Sequence, residues 1–214
     1  DYIEAFSPLY GQNGFKKLLS EGRVYEAASY DFAPVDRASA VASVSTGTTP
    51  YYNNIVGTQW LDRSSLRPVF CVDDPKYSTS PGRLSTSTIG DELKVATNGS
   101  SLVYALAPAR DAAVLSAGHA ADGAVWIDDK KGVLTTTDYY PAKVRKWLEA
   151  YNAVYSQRAT DDRTKNLAVA HAAEACVTEN ALGRDAYTDY LAVTLSAKGR
   201  NATNWQTDME GVYT

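Results

Sequence analysis

Three short apolar runs constrain this chain more than any other feature: residues 102–107, 124–127 and 190–195, the last interrupted only by Thr194. A strand with one wet face alternates apolar and polar residues. An unbroken run instead fits a strand covered on both faces, as the strands of parallel sheets are. Helix-patterned segments lie between and around these runs. Residues 142–155 set Val144, Trp147, Leu148, Tyr151 and Val154 on one side of a helix, and 164–182 form another, ended by Gly183. Thr88-Ile89-Gly90-Asp91 has the form of a capping box with Asp in place of Glu, and opens a helix that closes at Asn98-Gly99. Upstream, 14–19 read as the end of an amphipathic helix with Phe15, Leu18 and Leu19 on one face, stopped at Glu21-Gly22. Residues 24–31 and 68–73 read as strands, 38–45 as a small-residue helix and 75–87 as a loop. Strands alternating with helices predict an α/β layered sandwich with a mostly parallel central sheet flanked by helices.

A chain of 214 residues suits one domain, or a domain with an insertion, and can bury a proper core. The net charge of −4 and the absence of any long basic run exclude a nucleic-acid footprint. No apolar stretch is long enough for a transmembrane segment, and none has the form of a signal peptide. Cys71 and Cys176 could form one disulfide, but one sits in a strand-like context and the other in a helix, and buried free thiols are expected. Asn98-Gly99-Ser100 and Asn201-Ala202-Thr203 match the glycosylation pattern. With fifteen tyrosines and four tryptophans among many Ser and Thr, they suggest a periplasmic, cell-surface or secreted protein.

Residues 24–50 run from a strand through Pro34 into a small-residue helix. The start of such a helix offers unpaired N–H groups and a positive dipole end, a natural seat for a phosphate or a nucleophile. That seat holds Arg37, and an arginine cannot attack phosphorus. No alternative centre assembles elsewhere. His119, in a Gly-His turn, reads as a hydrogen-bonded structural histidine, and the His171/Glu174 pair as a polar contact buried in an apolar helix. The doublets Asp73-Asp74, Asp128-Asp129 and Asp161-Asp162 read as solvated loop residues, because neighbours on an extended chain point to opposite faces. Zinc-ligand spacings, a phosphate loop, a dinucleotide fingerprint and a nucleophile elbow are all missing from the sequence. Tyr51-Tyr52 and Tyr139-Tyr140 suggest a third possibility, a tyrosine-lined surface for a glycan or peptide.

Several phrases in order resemble the alkaline phosphatase superfamily, in its nucleotide pyrophosphatase/phosphodiesterase-like and secreted phosphatase branch. They are Gly14 to Gly22, Ala33-Pro34 leading to Ser45-Thr46-Gly47-Thr48-Thr49-Pro50, Ile55-Val56-Gly57-Thr58, Thr88-Ile89-Gly90-Asp91, Ala117-Gly118-His119, Thr136-Thr137-Asp138-Tyr139 and Asp189-Tyr190-Leu191-Ala192-Val193-Thr194. The resemblance implies phosphoester hydrolysis with two zinc ions and a Thr or Ser nucleophile. Carried over residue by residue, it assigns Arg37 to the nucleophile's place, Ser39 and Val41 to a Pro and a His, and Thr58 to a phosphate-touching Asn. Ala109-Arg110-Asp111 falls on a phosphate-gripping Lys-x-Arg, and Gly199 and Thr203, flanked by Lys198 and Arg200, on a zinc-binding Asp and His.

No catalytic or metal-binding residue is therefore assigned. Arg37, Ser39, Thr58, Arg110, Lys198 and Arg200 outline a vestigial pocket, basic enough for an anionic ligand without zinc. The expectation is a catalytically silent, alkaline-phosphatase-like domain over residues 1–214, lacking its first strand and its C-terminal metal-ligand part. It would act as a binding or assembly component for a protein partner or an anionic ligand. The alternative is an active phosphomonoester or phosphodiester hydrolase with a rearranged site and bound zinc.

Overall fold

A computed structural model describes residues 2–155 and 158–196. The helices are α1 (Tyr2–Ala5), α2 (Phe15–Glu21), α3 (Arg37–Thr46), α4 (Pro50–Asn53), α5 (Ile89–Ala96), α6 (Arg110–Ala117), α7 (Ala142–Val154) and α8 (Asp162–Glu179). The strands are β1 (Gln59–Asp62), β2 (Arg67–Phe70), β3 (Asp73–Asp74), β4 (Ser78–Thr79), β5 (Val103–Ala107), β6 (Gly123–Ile127), β7 (Leu134–Thr135) and β8 (Tyr190–Val193).

The central sheet has the order β7-β6-β5-β8. β5 pairs in parallel with β6 and with β8, while β7 runs antiparallel at one edge. Every residue of β5 and β6 is buried, which accounts for their unbroken apolar sequences. The connection through α6 runs one way along the sheet and the return through α7 and α8 runs the other. Right-handed crossovers in opposite directions place α6 and α8 on opposite faces.

A second helical layer covers α6. The buried residues of α3 are Ala38, Ser39, Ala42 and Ser45; α3 packs against α6, whose buried residues include Ala112, Ala113 and Ala117. Side chains this small let two helices approach closely, and the Ser45 hydroxyl ties them by donating to the Leu115 carbonyl at 2.8 Å. This packing brings the starts of α3 and α6 side by side, beyond the carboxyl end of β5. Parallel α/β sheets place their sites at that end.

Several expectations need correction. Residues 24–31 form no strand; no ladder joins them to a described strand, and Val24, Tyr25 and Tyr30 are exposed. The other strand expected upstream, 68–73, is realised as β2 with β3 just beyond it. β8 is half-exposed rather than covered on both faces, because it is an edge of the described sheet. α2 buries none of its residues, leaving Leu18 and Leu19 exposed. In α7 the apolar stripe holds for Val144, Trp147, Leu148 and Tyr151, while Val154 faces solvent. Cys71 and Cys176 are buried free thiols.

Candidate functional site

The site begins with the cap of α3. Asp36 is the N-cap, and its Oδ1 accepts the Ser39 amide at 2.9 Å while the Ser39 hydroxyl closes a reciprocal capping box. Its other oxygen, Oδ2, accepts the Thr58 amide. Burial works against the charge of Asp36, but these bonds outweigh it and hold the carboxyl below its ordinary 3.8. An internal carboxylate therefore claims one amide of this helix start, that of Ser39, where an incoming anion would seek donors, and the Thr58 amide beside it.

Arg37 follows as the first residue of α3 and points to α6. Its Nε and Nη2 donate to the two oxygens of Asp111, each at 2.9 Å. This is a two-point guanidinium–carboxylate fork, the strongest geometry available to such a pair. Asp111 is 1% exposed and Arg37 47%, so the pair closes a buried acid with a half-exposed cation. Asp111 also lies in the first turn of α6, where the helix dipole favours a negative charge.

The structure brings Arg37, Ser39 and Thr58 together through Asp36, whereas Arg110 turns elsewhere. Its guanidinium donates to Asp73 Oδ1 at 2.8 Å and to the Thr79 hydroxyl at 3.1 Å, over the Phe70 ring. Both described cations of the expected pocket thus have their own carboxylates. Lys198 and Arg200 lie outside the described residues. The sequence signal for Asp36 was present in Asp-x-x-Ser at a helix start, but its reach to Thr58 is a tertiary contact that spacing does not reveal.

Other candidates resolve one by one. His119 is a structural histidine, bonded to Asp91 and to the Leu84 carbonyl. His171 and Glu174 are both exposed, which corrects the expected buried contact. Asp73 pairs with Arg110, Asp74 caps a turn with Ser80, Asp128 closes the turn at Lys130-Lys131, Asp129 pairs with Lys165, and Asp161 caps α8. Tyr51 and Tyr52 are exposed, but Tyr140 is buried, with its hydroxyl donating to Gly118, so the two tyrosine pairs do not make one surface.

The donor set near α3 does not suit zinc. Asp36 is committed to two amides and Asp111 to a guanidinium, and no group of three His, Cys, Asp or Glu side chains among the described residues could hold a metal ion.

A layered α/β sheet with helix starts gathered at the carboxyl end of its central strand is, in this chain, an alkaline-phosphatase-like domain. Over its whole length it superposes on the crystal structure of wild-type alkaline phosphatase PafA with a TM-score of 0.88 at 24% identity, covering 54% of that chain. A PafA variant with Thr-to-Ser, Asn-to-Ala, Lys-to-Ala and Arg-to-Ala changes superposes with a TM-score of 0.87. Residues 1–200 match the family model described as type I phosphodiesterase / nucleotide pyrophosphatase, and the chain belongs to that family. It is 34% identical over 163 residues to alkaline phosphatase PhoV of Synechococcus elongatus and 32% identical to alkaline phosphatase PafA of Elizabethkingia meningoseptica. These alignments take in 72% and 71% of this chain but 30% of each relative.

Proposed function

We propose that this domain is a catalytically silent member of the alkaline phosphatase superfamily, retained as a binding or assembly component in an extracytoplasmic compartment. The observation that carries the reading is the Arg37–Asp111 fork at the start of α3. By family resemblance Arg37 stands where a hydroxyl attacks phosphorus, and a guanidinium that stays protonated has no electron pair to offer. Asp111 stands where a cation would grip the phosphate, and its charge opposes an anion there. The substitutions named for the PafA variant support this placement. Its altered threonine and asparagine have the sequence separation of Arg37 and Thr58, and its altered lysine and arginine that of Ala109 and Asp111.

Catalysis in this superfamily rests on positioning and charge stabilisation, so loss of nucleophile and grip together removes several orders of magnitude in rate. Arg37 and Arg110 are both paired, which favours a protein partner over an anionic ligand. Metal analysis of the purified full-length protein tests the reading. The expected result is zinc well below one ion per chain; two tightly held ions per chain would overturn it.

A further inference from the structure

His119 is held in a way that calls for a proton on each ring nitrogen. Its Nδ1 lies 3.2 Å from Asp91 Oδ2 and its Nε2 lies 3.1 Å from the Leu84 carbonyl oxygen. A carboxylate and a carbonyl only accept, and a neutral imidazole has one N–H to give. Asp91 is fixed independently, because its carboxylate also accepts the amides of Thr88, His119 and Ala120. The Leu84 side is a short turn, with Leu84 N–H donating to the Pro81 carbonyl and Ser85 N–H to the Asn53 carbonyl of α4.

We propose that His119 is a proton-operated latch: as an imidazolium it fastens the 81–85 turn to the start of α5, and on losing one proton it releases that turn while staying bonded to Asp91. The direction of release follows from acceptor strength. The carboxylate is the stronger acceptor, so the remaining proton stays on Nδ1. The Nε2 lone pair then faces the Leu84 oxygen, and two acceptors at that distance repel.

The surroundings leave His119 as the group that switches. From α5 it faces Asp91, whose carboxyl is held down to about 2. From the segment before α7 come Tyr139, donating to the His119 carbonyl, and Tyr140, donating to the Gly118 carbonyl; burial raises both phenols above 10. The Lys94–Asp122 ion pair joins α5 to the end of the His119 loop, and Arg83 on the turn donates to the Asp73 carbonyl. The Asp91 bond outweighs desolvation of the ring, so His119 holds its proton above the ordinary value of 6.5.

Nitrogen-15 imidazole spectra and amide-exchange protection factors of the wild-type protein, recorded from pH 5.5 to 9.5, test the latch. Protection factors remove the intrinsic rise of exchange with pH. The expected result is deprotonation of His119 above pH 6.5 to the Nδ1–H tautomer, with Leu84 and Ser85 amides losing protection over the same interval. In His119→Gln, whose side chain does not ionise, that loss disappears. The latch is overturned if His119 titrates at or below 6.5, if the Nε2–H tautomer forms, or if the turn keeps its protection through the titration. Should the variant not fold, the wild-type tautomer and protection data decide alone.

Discussion

Asp111 meets a single arginine with both of its oxygens, and this makes Arg37 a structural residue whatever its place in the family pattern. Removing the partner leaves a buried carboxylate with two bonds unmade. Arg37→Ala should therefore destabilise the fold by about 2 kcal/mol, toward the lower end for a buried charge because the guanidinium is half-exposed. Urea unfolding checks this as a lower midpoint at unchanged slope. Adding Asp111→Asn should recover part of the loss, since the orphaned charge is then gone. Arg37 and Asp111 were both conspicuous in the sequence as misfits to the family pattern. Their bonding to each other was not, because it depends on the small-residue packing of α3 on α6.

The start of α5 was the most legible element. Thr88 and Asp91 form the reciprocal cap that their spacing implied, and Gly118 lets the neighbouring loop close over it. A Cβ at Gly118 would overlap the Thr88 hydroxyl and the Asp91 carboxylate, at a positive φ of 79° that disfavours side chains. Gly118→Ala should cost about 2 kcal/mol or more, read as a fall in thermal midpoint. Burial opposes the charge on Asp91, yet bonds from His119, Thr88 and Ala120 bring its carboxyl to about 2. A depressed folded value stabilises above the unfolded 3.8 and is lost as pH falls toward 2, a change of about 2 kcal/mol. His119 has the opposite sign. Its contribution is complete below 6.5 and fades as pH rises through its raised folded value. Together they give greatest stability between about pH 4 and 6.5, which denaturation across a pH series would measure. Residues 24–31 were less legible. Their Val and Tyr content suits a strand, but strand propensity supplies no neighbour to pair with. The edge position of β8 was hidden for a related reason: an apolar run reports its composition, not how many sides are covered.

At the scale of the whole molecule, the order of elements and the parallel core followed from the three apolar runs, while the charge balance of the site needed the folded chain. Burial also governs both thiols. Cys71 and Cys176 are fully buried, and desolvation pushes each up to about 12. A thiol reagent at neutral pH should find neither in the native protein and both after unfolding. The chain aligns with 30% of the length of these two curated relatives, PhoV and PafA. Hydrolysis of a chromogenic phosphate monoester and diester by the purified full-length protein, with zinc supplied, bears most directly on the proposal that the site is silent. No turnover above buffer for either substrate is expected, with or without chelator; zinc-dependent turnover that chelator abolishes would show that the fork at Arg37 has not ended the chemistry.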